Sequence, residues 1–398
     1  MKVLQVVPYY EPDFHHGGVV RSTSILCREL VKLGHEVTVY TTQNWRSSKI
    51  QPEGVPIDIG GVKVVYFKNR LGGFGFGRDM LRATRNLGEF DIVHVAAFWQ
   101  LFGLPAFSRA RRAGIPTVLS PRGSLVMVRR TSADAFKHRL FYRLLNRRLL
   151  KSASAIHFTA GLERDDAEAL GLETPSFCIP NAVPMEEFRS LPDRSEARRK
   201  LGLSDSAPLV LFVGRLDRRK ALDVLLRAFS RLSGRGADAV LILAGPDFGE
   251  LKMLEGLSKS LKMEARVQFL GMVDAEERAS LLAAADLLTL TSLAENFGNS
   301  GTEAMAAGVA VLISDQCGVA EGVEESGVGR VVGVDEDAIV RALDEMLADS
   351  ETLRQMGARG PSFAESRYAA GKVGKNFALA YEDLLSGNRS AQCRWSDG

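Results

Sequence analysis

The stretch Leu293-Ala-Glu-Asn-Phe-Gly-Asn-Ser-Gly-Thr-Glu-Ala-Met-Ala-Ala-Gly308 holds two carboxylates, Glu295 and Glu303, with seven residues between them. The apolar run before it, 287–290, has the length of a buried strand, and the residues from Glu303 onward suit a helix. Glu295 therefore falls in a strand-to-helix loop and Glu303 inside the helix. The segment between them is small and polar, a composition that leaves backbone N–H groups at a helix start open to an anion. With a phosphate at that start, one carboxylate reaches hydroxyls on one side of it and the other carboxylate reaches those on the other side. A nucleoside diphosphate sugar carries hydroxyls on both sides of its diphosphate.

Outward from this stretch, short apolar runs alternate with helical patterns, the rhythm of α/β layers on parallel sheets. In the first half the expected strands are 2–7, 36–40, 63–67, 92–95, 117–120, 155–158 and 176–179. The helices expected there are 19–33, 101–113, 135–151 and 162–170. The pattern restarts with strands at 209–213, 239–244, 267–270, 287–290, 309–313 and 330–332. Between the halves, Pro180-Asn-Ala-Val-Pro184, Leu191-Pro-Asp-Arg-Ser195 and Asp205-Ser-Ala-Pro208 are turn and breaker residues, which puts a linker at 181–207. The expected fold class is α/β: two doubly wound parallel-sheet, Rossmann-like domains, 1–180 and 208–371, facing across a cleft. A chain of 398 residues is long enough for two cores. Ligands of such sheets bind beyond the carboxyl ends of the strands.

With 45% hydrophobic and 25% charged residues, the composition is that of a globular protein. No run approaches the ~20 apolar residues of a membrane span. Met1-Lys-Val-Leu-Gln-Val-Val-Pro8 enters a strand directly and lacks the parts of a signal peptide, so a cytoplasmic location is expected. Cys27, Cys178, Cys317 and Cys393 are scattered, without metal-ligand spacing, and read as reduced thiols. The charge is uneven: residues 1–180 hold 25 Lys/Arg against 15 Asp/Glu, and the remainder holds 26 against 33. A basic first half points to an anionic partner there, such as a membrane face or a lipid diphosphate. Nucleic acid has the same charge preference, but no nucleic-acid motif accompanies it.

The stretch 293–308 resembles the Glu-x7-Glu signature of the family-4 retaining glycosyltransferases. Phe297-Gly298, Glu303-Ala-Met-Ala-x-Gly308 and the strand that follows all fit the family pattern. The resemblance implies the fold called GT-B, whose last helix returns to the first domain. Here that helix would be 372–385, ahead of a polar tail, 386–398, expected to be disordered. Gly214-Arg-Leu-Asp-Arg-Arg-Lys220 follows an apolar strand and brings two cations to its carboxyl end. It resembles the family's Gly-Arg-Leu-x-x-x-Lys-Gly element, whose Arg and Lys hold the donor phosphates, with Ala221 where glycine is usual. Gly17-Gly18 resembles the N-terminal loop where backbone approaches the phosphate, and Asp91-Ile-Val-His-Val95 resembles the strand that sets a histidine, His94, near the transferred sugar. Ser120-Pro-Arg-Gly123 resembles an exopolysaccharide-type variant, and Arg122 there would face the acceptor or the donor phosphate, or else stand exposed on a structural turn. Phe269-Leu-Gly-Met-Val273 resembles the strand end that meets the base, with Leu270 as the apolar contact, and Ala244-Gly-Pro-Asp247 resembles the loop on the other side of the donor pocket.

The resemblance implies transfer of a hexose-type sugar from a nucleoside diphosphate, with retained configuration. Arg215, Lys220 and the helix start at Gly298, Asn299 and Ser300 would stabilise the leaving diphosphate, Glu295 would orient the sugar, and Glu303 would bind the ribose. UDP-sugars come first as donor and GDP-mannose second. A saccharide or a lipid-diphosphate-linked saccharide of exopolysaccharide or envelope synthesis would be the acceptor. No metal or other cofactor is implied. Asp335-Glu-Asp337 has the spacing of a metal loop but opens a helix, and capping explains it. The segment 137–151 puts Arg139, Arg143, Arg147 and Lys151 on one helical face and leucines on another. That pattern suits either core packing or docking on an anionic membrane surface. A nucleotide-sugar 2-epimerase on the same fold and a non-catalytic sugar-nucleotide-binding protein are the competing readings.

Overall fold

The computed structural model describes residues 1–14, 17–43, 53–68, 78–96, 101–125, 147–204 and 206–387. Most of the 137–151 segment, the glycine-rich run at 72–77 and the tail from 388 lie outside these residues. The chain divides into two compact units, Met1–Ala182 with Ala370–Gly398, and Val183–Ala369.

The first unit is built on β1 (Lys2–Val6), β2 (Glu36–Gln43), β3 (Pro56–Ile59), β4 (Val62–Lys68), β5 (Ile92–Ala96), β6 (Thr117–Ser120), β7 (Ala155–Phe158) and β8 (Ser176–Cys178). Their order across the sheet is β3-β4-β2-β1-β5-β6-β7-β8. All neighbours are parallel except β3, which closes a hairpin on β4 and was not anticipated. Its four residues are short for a strand pattern; what makes the hairpin is the Gly60-Gly61 turn, both glycines at positive φ, with the Gly61 N–H on the Asp58 carboxylate at 3.1 Å.

Alternate residues of β1 enter opposite cores. Leu4 and Val6 join Phe67, Phe102 and Phe107, while Val3 joins Leu26, Leu30 and Val37. A parallel sheet covered on both faces needs such continuously apolar strands. Helices α1 (Gly18–Lys32), α2 (Arg78–Ala83), α3 (Leu104–Arg112), α4 (Arg147–Ser152) and α5 (Gly161–Ala169) accompany it.

The second unit orders β9 (Leu209–Val213), β10 (Val240–Ala244), β11 (Val267–Gly271), β12 (Leu287–Leu290), β13 (Ala310–Ser314) and β14 (Gly329–Val332) as β11-β10-β9-β12-β13-β14, all parallel. Its helices are α6 (Arg194–Lys200), α7 (Leu222–Ser230), α8 (Leu251–Ser260), α9 (Ala275–Ala284), α10 (Asn299–Ala306), α11 (Glu336–Ala348) and α12 (Ser350–Tyr368). Asp335 caps α11 through the Ala338 N–H at 2.8 Å, the structural role expected of it.

The expected linker is corrected. Within 181–207, Asp193 caps α6 through the Glu196 N–H at 2.9 Å. Arg198 of that helix is 1% exposed, donates to the Ala284 and Ser204 carbonyls and pairs with Asp286 at 3.3 Å. Breaker residues mark the turns around α6, and its burial makes it part of the second unit. The last helix, α13 (Ala370–Leu385), packs on α1 of the first unit, where a Cβ on Gly374 would lie 2.6 Å from Glu29 Cβ.

In each sheet the strand order reverses once, between β1 and β5 and between β9 and β12. Ligands of doubly wound sheets bind at that switch, beyond the strand ends.

Candidate active site

In the second unit the two loops that leave the switch strands carry Lys220 and Glu295. The loop after β9 is locked against its neighbour. Gly214 donates to the Ala244 carbonyl at 2.9 Å, and a Cβ on Gly245 would lie 1.8 Å from the Gly214 oxygen, so only glycine fits. The Asp217 carboxylate accepts from the Arg219 N–H and guanidinium, both at 2.9 Å, and lies 3.5 Å from Arg215. Arg218–Lys220 make one tight turn, and Ala221 adopts φ 49°, ψ 40° before α7. The Lys220 ammonium then forms an ion pair with the Glu295 carboxylate, the side chains 12% and 21% exposed.

The loop after β12 is fixed by backbone bonds on both sides. Leu293 N–H donates to the Arg219 carbonyl at 2.7 Å, Glu295 N–H to Gln316 at 3.0 Å, and Gly318 N–H back to Glu295 at 3.1 Å. Gly298, at φ 103°, starts α10, whose first turn has neither a side-chain cap nor an acidic residue. Asn299 and Ser300 sit in that turn. Glu303, buried in α10, lies 3.5 Å from Arg278 of α9.

Burial lowers Arg215 from its ordinary range, and the charge of Arg219 lowers it further. Burial pushes the Asp217 carboxyl up, but the hydrogen bond and charge of Arg219 outweigh it, and the group ends below its ordinary value. The result is a loop edge that gathers Arg215, Arg219 and Lys220 beside a helix start, with the Glu295 carboxylate next to them. Leu270, 38% exposed, ends β11 on the same side of the sheet. Phe297, which the resemblance places among the donor-binding residues, has its side chain buried edge-to-face on Tyr368 at 5.7 Å, and its carbonyl accepts from Val319. It fixes the loop from inside.

In the first unit Gly17, at φ 77°, precedes α1, and Gly18 is that helix's first residue, with no side-chain cap and no acidic residue in the first turn. Arg122, at φ 53°, lies past the end of β6 and donates to Asn181, while buried Glu163 accepts from the next N–H, Gly123, at 2.6 Å. His94 is corrected. It occupies the middle of β5, 1% exposed, with both ring nitrogens engaged.

The hydrogen bonds around His94 run one way. His157 Nε2 donates to the Ile179 carbonyl at 2.8 Å, so its Nδ1 accepts from Ser120 at 2.7 Å. The Ser120 oxygen then accepts from His94 Nε2 at 2.6 Å, and His94 Nδ1 accepts from the Tyr381 hydroxyl at 2.6 Å. Gln5 closes the chain on the Tyr381 oxygen at 3.0 Å. Burial drives His94 down to about 3, so the ring is neutral and structural.

The sequence pattern of the family described as "Glycosyl transferases group 1" matches residues 193–363, and that of the "Glycosyl transferase 4-like domain" matches 17–182. The chain belongs to these GT-B glycosyltransferases. A D-inositol 3-phosphate glycosyltransferase of Nocardia farcinica is 36% identical over 220 residues, a match spanning 54% of this chain and 47% of that relative. A GDP-mannose-dependent alpha-(1-6)-phosphatidylinositol monomannoside mannosyltransferase of Mycolicibacterium smegmatis is 29% identical, covering 94% of this chain and 96% of that one. HepE of Anabaena, solved in complex with UDP and glucose, superposes with a TM-score of 0.76 at 20% identity over 96% of this chain and all of its own.

Several residues of this glycosyltransferase's site carried no advance signal. In the sequence no role fell to Asp217, Arg219, Phe248 or Arg278. Only the fold brings Arg278 to Glu303, and Phe248 to within 5.0 Å of Arg215. Among the described residues no three His, Cys, Asp or Glu side chains converge as metal ligands, and no helix is long and apolar enough to cross a membrane.

Proposed function

We propose that the chain moves a hexose-type sugar from a nucleoside diphosphate sugar, with retention and without a metal, to a saccharide or lipid-diphosphate-linked acceptor of exopolysaccharide or envelope synthesis. The observation that carries this reading is the Lys220–Glu295 pair at the β9/β12 switch. It sets a cation and a carboxylate side by side, which suits the two sides of a sugar–phosphate bond. In the proposed step the bond from the anomeric carbon to the diphosphate breaks and a bond from that carbon to the acceptor oxygen forms. The acceptor's proton passes to the departing phosphate oxygen. Arg215, Lys220 and the α10 start stabilise the growing negative charge, Glu295 orients the sugar through its hydroxyls, and Glu303 binds the ribose.

UDP is the favoured nucleotide, supported by the UDP held by HepE. GDP-mannose is the second reading, supported by the donor of the mycobacterial relative, which matches along nearly the whole chain. Both curated relatives are named for phosphate-bearing acceptors, which supports an anionic acceptor opposite the basic first half and gives Arg122 a role in holding it. With a lipid-linked acceptor, the 137–151 segment would dock the enzyme on the inner face of the plasma membrane.

The test is calorimetric titration with UDP and with GDP, each with and without EDTA, on wild type and Lys220→Ala. The expected result is tight binding of one nucleotide, indifferent to EDTA and weakened by the substitution. Binding of neither nucleotide would overturn the transferase reading, and loss of binding in EDTA would overturn the metal-free site.

A further inference from the structure

We propose that Phe248 is a positioning residue of the donor site, whose ring holds the Arg215 guanidinium ready for a diphosphate without neutralising it. The inference rests on the donor-site reading above. The guanidinium carbon lies 5.0 Å from the centre of the Phe248 ring, and that ring is 49% exposed. A half-exposed aromatic side chain is ordinary on a mobile surface, but the backbone that carries this one is held. The Asp247 carboxylate accepts three successive backbone N–H groups, from Gly249, Glu250 and Leu251, at 2.8, 3.0 and 3.1 Å. Phe248 N–H donates to Leu216 at 3.0 Å and Leu216 N–H donates to Pro246 at 2.9 Å, so the ring and the arginine ride on two segments stitched together.

The rival for Arg215 is Asp217. An arginine in a close bidentate pair with a carboxylate has its donors occupied and its charge matched. Here Arg219 takes that place, with contacts to both Asp217 oxygens at 2.9–3.3 Å, and Arg215 stays 3.5 Å away. A guanidinium resting on a ring face is oriented by the ring's quadrupole, while its N–H groups stay in its own plane, open to phosphate oxygens. Arg219 thus occupies the anion, and Phe248 supplies a holder that carries no charge. Burial and then the Arg219 charge disfavour the Arg215 cation, and the charges of Asp217 and Glu295 only partly offset them.

The experiment is calorimetric titration of the full chain with UDP (or GDP, where that is the nucleotide bound) and with inorganic pyrophosphate. Wild type is compared with Phe248→Leu and with chains carrying one, two or three fluorines on the Phe248 ring. Fluorination drains the ring face at nearly constant size, a change that a packing role would not register. The expected result is a stepwise loss of affinity with fluorine count, reaching about three- to tenfold, the range of a cation–π contact. Pyrophosphate should lose the same factor as the nucleotide, and in an Arg215→Met background the fluorine series should be flat. A flat series in the wild-type background, with nucleotide binding intact, would overturn the positioning role and leave the donor site standing. Loss confined to the nucleotide, with pyrophosphate unaffected, would make Phe248 a base contact and also overturn it. Wild type that binds neither nucleotide would sink the donor-site reading itself.

Discussion

The two sheets share a doubly wound order, yet they place their polar side chains at different heights along the strands. In the first unit the polar groups, from Gln5 through His94, Ser120 and His157, lie on the strands under α13. In the second unit Arg215, Asp217, Lys220 and Glu295 lie past the strand ends, on loops. A mid-strand group in a sheet covered on both faces has no water, so it must be satisfied by protein and stay neutral. A group beyond the strand end can keep its charge and share it with a ligand. Whether a polar residue stands on a strand or on the loop beyond it therefore separates scaffold from chemistry.

The comparison breaks most clearly on turnover. Lys220→Ala should lower kcat of sugar transfer at least ~100-fold, the scale of losing a preorganised charge stabiliser. Its effect on unfolding should be much smaller, because the pair with Glu295 retains some exposure. Wild-type turnover in that variant would remove the diphosphate role. His94→Ala should do the reverse. It leaves the Ser120 and Tyr381 hydroxyls each without one partner, which should cost about 2–3 kcal/mol in denaturant unfolding. Turnover per folded molecule should stay within a few-fold of wild type. A hundredfold loss of turnover at unchanged stability would return His94 to the reaction.

The same contrast explains what the sequence made legible. β6, β7, β9 and β12 fall where their apolar runs lie, because a buried parallel strand has little else it can be. Glu295, Lys220 and Arg215 stood out through motifs that follow directly on apolar runs, and their loops leave β12 and β9 as those runs imply. His94 was misread because a motif at a strand gives its address but not its height, and only the packing of Tyr381 and Phe377 over it shows that it is interior. α6 was hidden because prolines and aspartate flank a run too short for a period to show, and the cap at Asp193 and the buried Arg198 are tertiary facts.

Acid should separate the two regions further. Burial, followed by the charge of Arg122, holds His94 at about 3 and His157 well below its ordinary value. The unfolded chain takes up those protons near 6.5 while the folded chain does not. The unfolded state therefore binds more protons below that pH. Stability is full above about 6.5 and falls as pH drops toward 3, by up to about 1.4 kcal/mol per pH unit for each histidine. Urea unfolding at pH 7.5 and 5.5 checks this, with His157→Asn expected to remove about half of the difference. An unchanged midpoint slope and stability across that range would mean the pair takes up protons in the folded state and is not the sealed, neutral chain its contacts describe.

The smallest expected effect tests how firmly the charged loop is held. Ala221 stands in left-handed backbone where the family favours glycine, directly after Lys220. An L-residue there costs about 1–2 kcal/mol. Ala221→Gly relieves that, but it removes a buried methyl worth ~0.8 kcal/mol and loosens the unfolded chain by a further ~0.4–1 kcal/mol. The net should stay within about 1 kcal/mol of wild type in denaturant unfolding. Turnover should not change, because the Lys220 backbone is held by its N–H on Asp217 at 2.9 Å and its neighbour Arg219 by the Leu293 N–H at 2.7 Å. Ala221→Val adds β-branching that this backbone does not accommodate, so it should displace Lys220 and lower turnover about tenfold or more. If glycine instead raised turnover several-fold, the alanine would be holding Lys220 away from its best position, and the hydrogen bonds around the loop would not determine its geometry.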